Sequence, residues 1–156
     1  MVPLLSLSIC VSAQADLSQQ IKSLINNAST DFKDYKGNFL ELHNKDSVFL
    51  SSMTISGTKN NDILYTEGMI IYRAFIIDSV KLKPAIKLAD EWSSTLRGIL
   101  GDEFKLIATK IVDYNPSKHG WKFEKEDLWI NVDVYPSGPD STFFWVAFGI
   151  TQLKQL

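Results

Sequence analysis

Leu128-Trp129-Ile130-Asn131-Val132-Asp133-Val134-Tyr135 alternates without a break between aliphatic side chains and aromatic or polar ones. Successive side chains of an extended strand point to opposite faces, so Leu128, Ile130, Val132 and Val134 share one face and Trp129, Asn131, Asp133 and Tyr135 the other. The first set is a core face. The second combines aromatic rings with hydrogen-bonding groups, which is the composition of a recognition surface.

Working outward, Pro136-Ser137-Gly138-Pro139-Asp140 is a turn, and Thr142 to Leu153 is a further strand. From Phe143 to Ile150 that strand is apolar on both faces, and at a sheet edge it would be a template for aggregation. It therefore belongs inside the sheet, with both faces covered or with one lining a cavity or an interface. Ala147 and Gly149 are small enough to leave room for a ligand beside Trp145. The candidate binding surface is thus Trp129, Asn131, Asp133, Tyr135 and Trp145.

Upstream, strands are predicted at Asn38 to Leu42, Ser47 to Ser56, Ile63 to Ile77, Phe104 to Tyr114, and Trp121 to Tyr135 with a break near Glu124. Gly57, Asn60-Asn61-Asp62 and Asn115-Pro116-Ser117 mark the turns. Two amphipathic helices interrupt them. Leu17, Ile21, Leu24, Ile25, Ala28, Phe32 and Tyr35 fall on one helical face, with Asp16 as N-cap and Gly37 as the closing residue. Ala85, Ala89, Trp92, Leu96 and Ile99 form the second stripe, between Pro84 in the first turn and Gly101 after the last, with Trp92 as its central knob.

Consecutive strands joined by short turns pair antiparallel, so the fold class is α+β, an antiparallel sheet with two amphipathic helices packed on one side. The order helix and three strands, then helix and three strands, at an offset of about 65 residues, suggests a tandem helix-βββ pseudo-repeat.

Residues 1–15 carry no charge and hold a short apolar run from Val2 to Val11. A membrane span needs roughly 20 apolar residues, and this stretch turns polar at Gln14 and Asp16, so it reads as a cleaved signal peptide. Ala13-Gln14-Ala15 fits the small-x-small cleavage pattern, and Val11-Ser12-Ala13 offers an earlier cut. Cys10 follows Ile9 rather than a small residue, which argues against lipidation. The expectation is an exported chain, periplasmic or secreted, with no stable membrane insertion, residues 16–156 forming a single domain. Without Cys10 that domain has no thiol, so its core must hold it together.

A net charge of −2 with both signs interspersed leaves no basic stripe for nucleic acid. No glycine-rich phosphate loop and no Gly-x-Ser-x-Gly nucleophile elbow occurs. His43 and His119 are distant in sequence, so neither a metal site nor a cofactor is expected. Asn27-Ala28-Ser29 matches a glycosylation acceptor but falls in a predicted helix.

Three functions remain. The leading expectation is a non-enzymatic protein that binds a macromolecular partner through the aromatic sheet surface. The second is a carrier of a small apolar ligand held between the Trp92 helix and the sheet. The third is a hydrolase pairing His119 with Asp113 or with a carboxylate of Glu124, Glu126 and Asp127.

Overall fold

A computed structural model describes residues 5–43, 45–108, 119–138 and 141–154, with side chains described from residue 16 onward except at 43. Helix α1 (Leu5–Ala28) leads into strands β1 (Lys36–His43), β2 (Asp46–Ser51), β3 (Lys59–Tyr65) and β4 (Met69–Val80). Helix α2 (Leu82–Leu100) leads into β5 (Lys105–Ala108), β6 (His119–Lys125), β7 (Leu128–Pro136) and β8 (Phe144–Leu153). The strands form one antiparallel sheet in the order β1-β2-β3-β4-β8-β7-β6-β5, so the last strand of each set pairs with the other at the centre. The fold is α+β.

The register divides the sheet into two faces. Ile63, Tyr72, Ile150, Ile130 and Phe123 stand in one cross-strand row, and Ala74, Phe148 and Val132 in the next. These side chains are buried in one core with Ile21, Leu24 and Ala28 of α1 and Ala85, Ala89, Leu96 and Leu100 of α2. Each large side chain withdrawn from water there stabilises the fold by about 1.5–3 kcal/mol. Both helices thus lie on one side of the sheet.

Local departures from the sequence pattern have identifiable causes. Asp16 does not cap a helix, because α1 runs through it; its carboxylate instead accepts from Gln20 Nε2 at 3.0 Å and Ser56 Oγ at 2.7 Å. The helix closes at Ala28 through left-handed Asp31 and Phe32, not at Gly37, and Phe32 turns fully into the core 6.2 Å from the ring of Tyr72. Gly37 lies in β1, where a Cβ would sit 2.9 Å from the Leu50 carbonyl oxygen. Asn27 spends its side-chain amide on Asp34, at 2.9 Å.

The predicted strand from Ile63 to Ile77 is two strands, β3 and β4, folded back through a turn in which the Thr66 amide donates to the Met69 carbonyl at 3.0 Å. Asn60-Asn61-Asp62 instead falls within β3, with Asn60 left-handed at an irregularity in the ladder and the side chains of Asn61 and Asp62 taken up by tertiary partners. Asn61 Oδ1 accepts from Tyr72 Oη at 2.6 Å and Thr58 Oγ1 at 3.0 Å, while Asp62 pairs with Arg73. The predicted Ser47–Ser56 strand stops at Ser51. Of the predicted Phe104–Tyr114 strand, β5 covers Lys105–Ala108, and the remainder from 109 lies outside the described residues, as do the Asn115-Pro116-Ser117 turn and Asp113. Each helix therefore precedes four strands rather than three, and no tandem repeat is established by this order.

Trp92 is not the central knob of α2. Ser93 takes the most buried line with Ala89 and Leu96, and Trp92 sits half-buried beside it, its ring 6.0 Å from that of Phe148.

Candidate functional site

The face of the sheet turned away from the helices carries the second set of side chains. On β4 it presents Ile71, Arg73 and Phe75; on β8, Trp145, Ala147, Gly149 and Thr151; on β7, Trp129, Asn131, Asp133 and Tyr135. The central strand is therefore small where its neighbours are large. That difference in side-chain size makes a trough of about 590 Å³, with Ala147 and Gly149 as its floor and Arg73, Phe75, Trp129, Tyr135 and Trp145 among its walls. Sites of this volume take small organic ligands.

All five candidate binding residues line this trough. Alternation along β7 puts four of them on one face, and Trp145 joins because it is the cross-strand partner of Tyr135. Leu64, Met69, Ile71, Arg73, Phe75 and Lys122, with Ala147, Gly149 and Thr151 of β8, complete the lining and do not belong to the candidate set. Strand pairing brings them in: Arg73 lies opposite Gly149, Gly149 opposite Asn131, and Asn131 opposite Lys122.

Trp145 stacks on Phe75 with ring centroids 4.9 Å apart and planes inclined by 16°, and Tyr135 meets it edge-on at 6.0 Å. Its indole Nε1 is buried and has no hydrogen-bond partner among the described residues. Asp133, 3% exposed, accepts from Asn131 Nδ2 and, at 3.3 Å, from Tyr135 Oη. Burial first, and then the charge and hydrogen bond of Asp133, push the Tyr135 phenol well above its ordinary pKa.

Gly149 has a specific reason to be glycine. A Cβ there would stand 2.8 Å from Asn131 Oδ1, so the missing side chain is the space that the Asn131 carboxamide occupies.

The cations of the trough are paired. Arg73 donates to Asp62 from Nε at 3.1 Å and from Nη2 at 2.8 Å, a bidentate arrangement that fixes the guanidinium plane. Lys122 Nζ is 3.2 Å from Glu124 and 3.5 Å from the centroid of Trp129, over whose ring it lies.

The remaining candidates fall elsewhere. His119 faces the helix side, where its Nε2 is 2.7 Å from Asp90 Oδ1 on α2, and Trp121 Nε1 donates to the same oxygen at 2.7 Å. The structure thus gives His119 a carboxylate that the sequence reading did not name. Glu124 points to the opposite face with Lys122, and Glu126 and Asp127 sit at the β6–β7 turn. Trp92 packs its ring 6.0 Å from that of Phe148 on the helix side, and the trough lies on the other side of the sheet from the expected carrier site. Among the described residues no cluster of three or more His, Cys, Asp and Glu side chains is arranged to hold a metal ion. No helix of the described residues is long and apolar enough to cross a membrane.

No protein-family model, curated protein or solved structure matches the chain.

Proposed function

We propose that the protein is a non-catalytic binding domain that holds a small, largely apolar ligand in the trough across β4, β8 and β7. One observation carries this reading: two small residues on the central strand, between walls of four aromatic rings, leave about 590 Å³ open on a face that no helix among the described residues covers. A solvated sheet face needs no such hollow, and apolar surface concentrated in a concavity is the usual form of a ligand site.

In the same reading the chain works outside the cytoplasm after residues 1–15 are removed. If the chain is two helix–four-strand units in tandem, a proposal resting on element order, the trough straddles the β4–β8 seam between them.

The test is native mass spectrometry of protein purified without denaturant, together with the variants Trp129→Ala and Trp145→Ala. A co-purified small molecule is expected, and a folded variant of either tryptophan should release it, since an anchoring aromatic contributes about 2 kcal/mol or more to binding. Ligand-free spectra, no thermal stabilisation by a panel of apolar compounds and no effect of either substitution would refute the proposal.

A second reading, a macromolecular partner, is favoured by the exposed apolar side chains Phe39, Leu40, Leu42 and Leu50 at the β1–β2 edge. Partner capture from native extract that survives loss of both tryptophans but not substitution at this edge would favour it.

A further inference from the structure

We infer that the ligand of the trough is an apolar monocarboxylic acid, its hydrocarbon body against the aromatic walls and its carboxylate on the Arg73–Lys122 row. This rests on the trough being the binding site. The three carboxylates beside the trough are engaged, and the Asn131 carbonyl oxygen is turned onto Gly149. Both Asp62 oxygens take bonds from Arg73, Asp133 Oδ2 takes bonds from Asn131 and Tyr135, and Glu124 holds Lys122.

The donors are not exhausted. A guanidinium carries five N–H groups and an ammonium three, and Asp62 takes only two from Arg73. Trp145 Nε1 is a third donor at the site, buried and without an acceptor among the described residues. A ligand that fits this surplus brings acceptors rather than donors.

The placement of the donors points the same way. Asp62, Arg73, Gly149, Asn131 and Lys122 lie in one row across the sheet, with Arg73 beside the small floor residue and Lys122 one strand further on the other side, beyond Asn131. Arg73 is held in plane by its bidentate pair, so little of its freedom remains to be lost when a carboxylate docks. Asn131 and Tyr135 both direct their donors onto Asp133, which shields an incoming acid from that buried charge. Leu64, Met69, Ile71 and Phe75, also in the lining, give the hydrocarbon body apolar contact.

The test compares 2-naphthoic acid with 2-isopropylnaphthalene, in which an isopropyl group replaces the carboxylate at similar shape, by equilibrium dialysis against the full chain. The acid should bind about tenfold tighter or more, the worth of one charge-assisted hydrogen bond. Replacing the pair together, Asp62→Asn with Arg73→Met, removes the guanidinium without stranding a carboxylate. It should abolish the acid's advantage over the hydrocarbon. Lys122→Met, at the rim, reduces that advantage in part and serves if the double variant loses its near-UV circular dichroism.

Equal binding of the two probes to the native protein overturns the inference while leaving an apolar site intact. An advantage for the acid that survives in both variants overturns it as well. Binding of neither probe removes the underlying reading with it.

Discussion

Gly149→Ala is the sharpest perturbation of the trough. The added Cβ would meet Asn131 Oδ1 at 2.8 Å, closer than such contacts tolerate, and the neighbour is a short side chain tied by its Nδ2 to Asp133. To admit the methyl group the carboxamide must turn away, and nearly buried Asp133 then loses a charge-assisted hydrogen bond, a loss of about 1.5–3 kcal/mol. Crowding adds about 1–3 kcal/mol. Alanine in place of glycine within a strand returns about 0.5–1 kcal/mol. The net expectation is a destabilisation of about 2–5 kcal/mol, seen in urea unfolding as a lower midpoint at unchanged slope. The accompanying fall in melting temperature is about 5–15 °C. Asn131→Ala should cost only the hydrogen bond, and in the double variant the clash no longer exists. The cycle should therefore be non-additive by about 2.5–6 kcal/mol, the crowding together with the hydrogen bond that each single variant loses and the double variant loses only once. A Gly149→Ala protein within about 0.5 kcal/mol of the native one, or an additive cycle, would refute the packing of Asn131 over Gly149.

Two further expectations concern pH and the N-terminus. Burial is the largest cause raising the pKa of Tyr72 and of Tyr135 above the ordinary 10.0, so stability is fully present below about pH 10 and is lost above it, where the unfolded chain ionises and the native phenols do not. The two together should give a decline that begins at about 1.4 kcal/mol per pH unit at pH 10 and steepens toward about 2.7 by about pH 11, and absorbance titration should show two of the five tyrosines ionising only as the protein unfolds; early ionisation of all five would contradict this. For the export proposal, protein from the native host should begin at Gln14 or Asp16. A chain starting at Asp16 keeps the bonds of Asp16 and Gln20 to Ser56 and should melt within about 3 °C of the full chain, whereas soluble protein retaining Met1 and destabilised by the truncation would sink the proposal.

What the sequence made legible was local, and what it concealed was pairing. The alternation from Leu128 to Tyr135 is a property of one strand and appears unchanged in β7. Trp145 could be linked to it because the small residues Ala147 and Gly149 follow in a strand too apolar to be an edge. Arg73 and Phe75 carry no such signal. They reach the site because β4 pairs with β8 across more than seventy intervening residues, a contact no spacing rule contains. The same limit explains Asn60-Asn61-Asp62. These residues favour turns because their side chains compete for the backbone, yet Tyr72, Thr58 and Arg73 satisfy them within the sheet, and that tertiary satisfaction overrides the local preference. Gly68, in the turn between β3 and β4, was the available sign that Ile63 to Ile77 is two strands rather than one.

The two faces of β8 carry the strongest argument that the trough is a site and not an incidental hollow. On the helix side the strand presents Phe144, Val146, Phe148 and Ile150, all buried in the core. On the other side it presents Trp145, Ala147, Gly149 and Thr151. A sheet built only for stability gains by filling that face. A larger aliphatic residue at 147 or 149, with an aliphatic partner at 131, would bury more carbon at about 25 cal/mol per Å² and would need no buried polar atoms. Instead the chain sets a nearly buried carboxylate at Asp133, holds it with Asn131 and Tyr135, and gives the Trp145 N–H no acceptor among the described residues. Each of these choices lowers stability relative to the filled alternative, since buried polar groups carry a desolvation cost even when paired. Rule-breaking of this kind collects where a surface is shaped for something other than folding. Here all of it falls on one side of two central strands. The ligand that repays it must supply hydrocarbon to the walls and an acceptor to the donors, which is the combination the Arg73–Lys122 experiment measures.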